Sequence, residues 1–347
     1  MPKRGEIGSI ALDRGKGGTP RWAFKHWHAL DVQVYPQEQA TFEGDLGSLI
    51  RAWVLPGHVP AEGLLGADAG VIALGSCFAS HLRGYLERAG VDSALLWVPS
   101  DLNNTYAIRD FVSWCATGRE TPRGYTYTRA EDGSIREWAP EAERERYVEA
   151  LRRAGLFVFT FGLAEAWEDS ETGAVFWRGI PSELFDAARY TFRLTSVEEN
   201  EANILEIIRL VRLVNPAAPI VLTLSPVPLK ATFRGISCIT ADCVSKATLR
   251  VALDRVLAAR PESVYYWPSF EVVRWVGANR PASMFGGDDG RARHVSGEVV
   301  GEIIGAFLEA FYTPAAVAEL AARAEERERR EQERRRERAR LKDARRT

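Results

Sequence analysis

Ala69-Gly70-Val71-Ile72-Ala73-Leu74-Gly75-Ser76-Cys77-Phe78-Ala79 joins a short, uniformly apolar run to a break of small residues and then to a helical period. Residues 69–74 show no polar alternation, which fits a strand buried on both faces. After the break, Phe78, Leu82, Tyr85, Leu86 and Ala89 recur on one face of a 3.6-residue helix that ends near Gly90. The stretch therefore predicts strand, tight turn and helix.

The same pattern repeats along the chain. Leu156-Phe157-Val158-Phe159-Thr160-Phe161 stops at Gly162, and Ile220-Val221-Leu222-Thr223-Leu224 stops at Ser225-Pro226-Val227-Pro228. Between them, Ser196-Val197-Glu198-Glu199 has the form of a capping box, and Ile204, Ile207, Ile208, Val211 and Val214 continue it as an amphipathic helix. Residues 245–257 predict a further helix and 263–267 a fourth strand. Apolar strands alternating with helices long enough to cross back over the sheet predict an α/β fold, a three-layer sandwich with a mainly parallel central sheet. Around this domain, placed at 66–314, residues 1–65 lack any long period and are expected to form an irregular N-terminal wrap. Residues 315–347 are expected to form a charged helical or disordered tail.

Composition narrows the function. The 347 residues are 46% hydrophobic and 27% charged, as in an ordinary globular protein. With 45 Lys and Arg against 47 Asp and Glu, the net charge of −2 offers no field for a nucleic-acid backbone. No apolar run approaches the roughly 20 residues of a membrane span, and residues 1–20 show no secretory apolar core. Cys77, Cys115, Cys238 and Cys243 are too few and scattered for a disulfide framework, so reduced thiols and a cytoplasmic location are expected. Residues 321–347 hold 12 Lys or Arg against 7 Asp or Glu, leaving the rest of the chain at −7. With almost no apolar face, this segment suits a solvated helix or a weak electrostatic contact.

In parallel sheets, ligands bind outside the carboxyl ends of the strands. That places Ser76, Cys77, Gly162 to Glu165 and Ser225 at one rim, with Asn103-Asn104 able to join it from a connection. A thiol at a helix N-terminus favours the thiolate, and the adjacent backbone N–H groups suit an oxyanion. Cys77 has that position, although cysteines also serve as small core hydrophobes. His81 follows it by one turn and is one candidate base. His26-x-His28 suits either a metal or an aromatic surface, Cys238-x4-Cys243 lacks the second pair of a zinc site, and no metal is expected. Gly286-Gly287 lacks the lysine and hydroxyl residue of a phosphate loop. Lys246 and Arg250, one turn apart, suit a solvated helix edge or an anionic substrate.

Gly75-Ser76-Cys77-Phe78-Ala79 spells the signature of the GSCFA family, which resembles the SGNH/GDSL hydrolases and acyltransferases. Residues 160–167 (TFGLAEAW), 224–229 (LSPVPL), 245–250 (SKATLR), 266–273 (YWPSFEVV) and Arg293-His294-Val295 also look like the family, in the expected order over about residues 70–310. The resemblance implies an SGNH/flavodoxin-like fold with Cys77 as nucleophile and Ser76 as the alternative. It also implies His294 as base, oriented by Asp289 or Asp288. Two departures stand out. Four residues separate Asp289 from His294 instead of two, and Ala164 stands where the hydrolases carry an oxyanion-binding Asn. Asn103, Asn104 and the backbone N–H of Cys77 would then serve the oxyanion, with Gly162, Glu165 and Ser225 around the substrate. The implied activity is hydrolysis or O-transfer of an acyl group through a Cys77 thioester. The substrate would be a small molecule or carbohydrate, such as a cell-envelope precursor, with no bound cofactor and acyl-CoA as one candidate donor. The alternative is a catalytically silent carbohydrate-binding or assembly protein.

Overall fold

Leu156–Phe161 and Ile220–Leu224 are buried at every position, as apolar strands in the middle of a sheet must be when both faces are covered. The structure, a computed structural model, describes residues 8–14, 20–26, 35–36, 38–75, 77–88, 91, 102–119, 127–137, 141–177, 179–288 and 290–344. It falls into two units, residues 1–41 and 42–347. The first holds an antiparallel hairpin of β1 (Gly8–Arg14) and β2 (Pro20–His26), a regular element in a stretch whose sequence shows no period.

The second unit runs, in chain order, α1 (Leu46–Leu49), β3 (Val71–Gly75), α2 (Cys77–Arg88), α3 (Thr105–Thr117), β4 (Tyr127–Arg129), β5 (Ile135–Glu137) and α4 (Arg144–Arg153). It continues with β6 (Leu156–Phe161), β7 (Glu165–Asp169), β8 (Tyr190–Leu194), α5 (Val197–Val214), β9 (Ile220–Leu224) and α6 (Cys238–Ala258). β10 (Val264–Trp267), α7 (Ser269–Glu271), α8 (Gly297–Phe311) and α9 (Pro314–Ala344) complete it. Strands β3, β6, β9 and β10 form one parallel sheet in that order. The α/β fold with a parallel sheet between helical layers is thus present.

Alternate residues of these strands feed two separate cores. On one face, Ile72, Leu74, Phe157, Phe159, Ile220 and Leu222 pack against α3, α4, α5 and α6. On the other, Val71, Leu156, Val158, Val221 and Trp267 pack against α1, α2, α8 and the start of α9. Sheet order follows chain order, and right-handed crossovers in such a sheet return on one side. The opposite face would stay bare, and α2 covers it together with segments from before β3 and after β10. Phe42, Leu46, Leu49, Ile50 and Leu55 are buried there, so part of the stretch expected to be an irregular wrap belongs to the core.

Local signals act as expected at the helix ends. Ser196 Oγ accepts from Glu199 N (3.1 Å) and Glu199 Oε2 accepts from Ser196 N (2.6 Å), closing the capping box of α5. A buried polar seam joins α5 to α3. Thr105 Oγ1 donates to Asn200 Oδ1 (2.8 Å), Asn203 Nδ2 donates to Thr105 Oγ1 (3.1 Å), and Arg109 donates to Asn203 Oδ1 (2.5 Å). The charged tail is helical and anchored at its root. Ala316 and Leu320 are buried, and Arg323 pairs with Asp68 at 2.9 Å. Among the described residues no helix is long and apolar enough to cross a membrane.

The turn after β3 is the tightest constraint. Gly75 has φ 118°, and a Cβ there would overlap the carbonyl oxygen of Thr160 on β6. Gly75→Ala is expected to cost about 3 kcal/mol or more, from left-handed strain plus displaced backbone. Gly66→Ala, with open space around it, should change stability by less than about 1 kcal/mol. Urea unfolding midpoints check the pair, and equal midpoints would refute the packing argument.

Candidate active-site cavity

At the carboxyl end of the sheet, the second face changes from apolar to polar. Thr160 and Thr223 are register partners on β6 and β9, and Gly75 pairs with Thr160. Thr223 Oγ1 and Ser269 Oγ lie 2.8 Å apart, and Ser269 Oγ also donates to Leu224 O (2.9 Å). Thr160 Oγ1 is buried without a hydrogen-bond partner among the described residues. Side chains two apart on a strand share a face, so these hydroxyls continue the rows begun by Val158 and Val221.

Beside this polar patch lies a cavity of about 250 Å³. Its walls are Pro226 and Val227 after β9, Ser269 and Val273 after β10, and Val295, Val300 and Ile303 near α8. Three titratable groups break this apolar lining: His81 from α2, and Asp288 and His294 from the loop before α8. That loop is held by a bridge between Phe285 and Val295 and by Gly286 N donating to His294 O (2.9 Å). Arg293 fastens it to the β9 loop through Pro228 O, at 2.8 and 3.1 Å. Asp288 Oδ2 accepts from Gly297 N (2.6 Å) at the first turn of α8, where an anion is favoured by the unpaired N–H groups.

Partial burial lowers the pKa of His81 below its ordinary 6.5, the charges of Arg88 and His294 push the same way, and Asp288 opposes them. His81 as a residue is exposed, so its desolvation is incomplete. Neutral imidazole is the favoured form near pH 7, which suits a proton acceptor.

The residues singled out by sequence sort into two places. His294, His81 and Asp288 meet at the first cavity, with Cys77 as the first residue of α2, one turn before His81. Ser76 and Asp289 lie outside the described residues, as does His28. Asn103, Gly162 and Glu165 belong to a different neighbourhood. Gly162 N donates to Asn103 O (2.7 Å), and Asn103 and Glu165 line a second cavity of about 250 Å³. Asn104 lines it too, but its side chain caps α3, accepting from Ala107 N (2.8 Å) and donating to Phe176 O (3.4 Å). Ser225 is buried and turned into its own loop, where Oγ accepts from Val227 N (3.3 Å). Among the described residues no His, Cys, Asp and Glu group could hold a metal.

Several features escaped the sequence reading. The hairpin of β7 and β8 carries Trp167 and Phe192, which meet Phe233 with ring centroids 5.0 to 5.1 Å apart. Lys246 is not at a solvated edge. It is 2% exposed and its Nζ donates to Gly162 O. Arg250 pairs with Glu271 (2.8 Å) and stacks over Tyr266. Cys115 is buried, which pushes its thiol pKa up to about 12, while Cys243 is exposed.

Among known protein families, the model described as the GSCFA family matches residues 70–307. No curated protein matches the chain.

The cavity's electrostatics predict two opposite shifts. Asp288→Asn, removing a negative charge, should lower the His81 pKa further, and His294→Ala, removing a competing cation, should raise it. Titration of the His81 ring protons by NMR reads both. Unchanged values in the two variants would separate these groups. Because the folded pKa is depressed, His81's contribution to stability is present above about pH 6.5 and is lost as pH falls toward the folded value.

Proposed function

The chain belongs to the GSCFA family, and from that premise we propose that it is an SGNH-like acyl-group hydrolase or O-acyltransferase working through a thioester on Cys77. The observation that carries this reading is the first cavity. Two imidazoles and a carboxylate sit against apolar walls, and one of the imidazoles, His81, is carried by α2 one turn after its first residue, Cys77. The apolar walls suit an acyl chain, and the helix N-terminus suits both a thiolate and an oxyanion.

In the proposed cycle, His294 takes the proton of Cys77 as Sγ attacks the acyl carbonyl carbon. The tetrahedral oxyanion is held by backbone N–H groups at the start of α2. It collapses with the C–S bond kept and the leaving-group bond broken, and His294 returns the proton to the leaving atom. Water or an acceptor hydroxyl then attacks the thioester, gives its proton to His294, and releases Sγ, which is reprotonated. Asp288 is the carboxylate at hand to orient an imidazole, with Asp289 its neighbour in sequence. His81 is the second imidazole and the alternative base. The donor could be a carbohydrate ester or acyl-CoA, and the acceptor water or a carbohydrate hydroxyl.

Cys77→Ala should lower turnover of aryl esters or acyl-CoA at least about 10³-fold, because removing the nucleophile removes the covalent path. A covalent acyl adduct at Cys77 should be found by mass spectrometry of acyl-donor-treated protein and be absent from the variant. Full activity in Cys77→Ala would refute the mechanism, and labelling of Ser76 by a fluorophosphonate would assign the nucleophile there. Iodoacetamide should label Cys77 with a pH midpoint below that of the exposed Cys243. If no cysteine has a depressed midpoint and no ester or thioester is turned over, the catalytically silent binding protein is the better reading.

A further inference from the structure

We propose that the second cavity, on the β7–β8 side of the sheet, binds a neutral polyhydroxylated ring such as a pyranose, with Glu165 and Asn103 as its hydrogen-bond acceptors. Glu165, the first residue of β7, is 4% exposed, and its Oε2 has no hydrogen-bond partner among the described residues; the same holds for Asn103 Oδ1. Both residues line the cavity. A buried acceptor without a donor is destabilising, so two of them at one cavity call for a ligand that brings at least two donors.

The rest of the lining supplies the other half of the specificity. Trp167, Phe192 and Phe233 pack mutually at 5.0 to 5.1 Å beside these acceptors. Phe233 is 66% exposed, which leaves much of its ring available to a ligand. Aromatic faces are electron-rich and attract polarised C–H groups. A ligand with an apolar C–H face and donor groups at its edge matches both surfaces, and that is the shape of a pyranose.

A cationic amine would also suit aromatic faces and a carboxylate. Arg234 argues against it. Its guanidinium lies 3.3 Å from Glu165 Oε1, balancing the charge while Oε2 stays buried and unpaired among the described residues. The site thus offers acceptors without net negative charge, which selects hydroxyl donors over ammonium.

The two cavities share one loop. Pro226 and Val227 line the first, while Leu229, Ala231 and Phe233 line the second. Ring binding stands by itself; the link that makes this ring the bearer or receiver of the acyl group rests on the thioester reading.

The test uses the full chain with Cys77→Ala, so that binding is read without turnover. Saturation-transfer NMR and calorimetry would compare methyl hexopyranosides and their 2-acetamido analogues with choline and cyclohexanol. At least one glycoside is expected to bind, with ring C–H protons receiving saturation from aromatic protons. Glu165→Gln and Phe233→Ala should each weaken that glycoside about tenfold or more. The second variant alters an exposed ring, so it tests the site even if the first fails to fold. No glycoside binding, binding unchanged in Phe233→Ala, or choline or cyclohexanol bound as tightly as the best glycoside would overturn the proposal. Failure of the thioester reading would appear separately, as loss of the Cys77 adduct with glycoside binding intact.

Discussion

Four parallel strands that pair in the order they occur leave their right-handed crossovers only one side of the sheet on which to return. In this chain α5 and α6 obey that constraint, with α3 and α4 beside them. The exposed second face must then be covered by other means. α2 takes part of it, and α1 and α8 take the rest from opposite ends of the domain. The candidate catalytic cavity is a consequence of this arrangement. It is formed by His81 of α2, the loop preceding α8 and the segments that follow β9 and β10.

Gly75 ties the two halves together. Its left-handed backbone brings the chain against Thr160 O with no room for a side chain, and α2 starts two residues later. A helix that starts so close to its strand points its N-terminal N–H groups at the rim, which is what an oxyanion or thiolate needs. Asp288 does related work on the other wall, holding the first turn of α8 while facing the histidines. Fold stability and candidate chemistry therefore depend on the same few backbone positions.

The two cavities divide labour by composition. The first is walled by valine, isoleucine and proline around imidazoles, and the second is walled by aromatic rings around a charge-balanced carboxylate. An acyl chain and a polar ring differ in the same way. Gly162 stands behind the second, holding Asn103 through its N–H and Lys246 through its carbonyl. This explains why a lysine on a helix, which by sequence suits water, is buried.

The parallel sheet, the helix after Cys77 and the capping box at Ser196 were legible in the sequence because each rests on local spacing: apolar runs, a 3.6-residue period, a hydroxyl three residues before a carboxylate. The family signature at residues 75–79 was legible for the same reason. What could not be read locally depends on distant partners. The rim residues look alike as strand ends, yet His294 joins His81 at one cavity and Glu165 joins Asn103 at another, because the two strand faces and the β7–β8 hairpin carry them apart. Asn104 resembles an oxyanion donor in sequence and caps α3 in the fold, since the first free N–H groups of that helix lie closest to it. Residues 42–55 show no period of their own and become core only because a one-sided set of crossovers leaves a face for them to cover. Local order was written in the sequence; which surfaces meet was decided by tertiary packing, through strand order and the direction of each crossover.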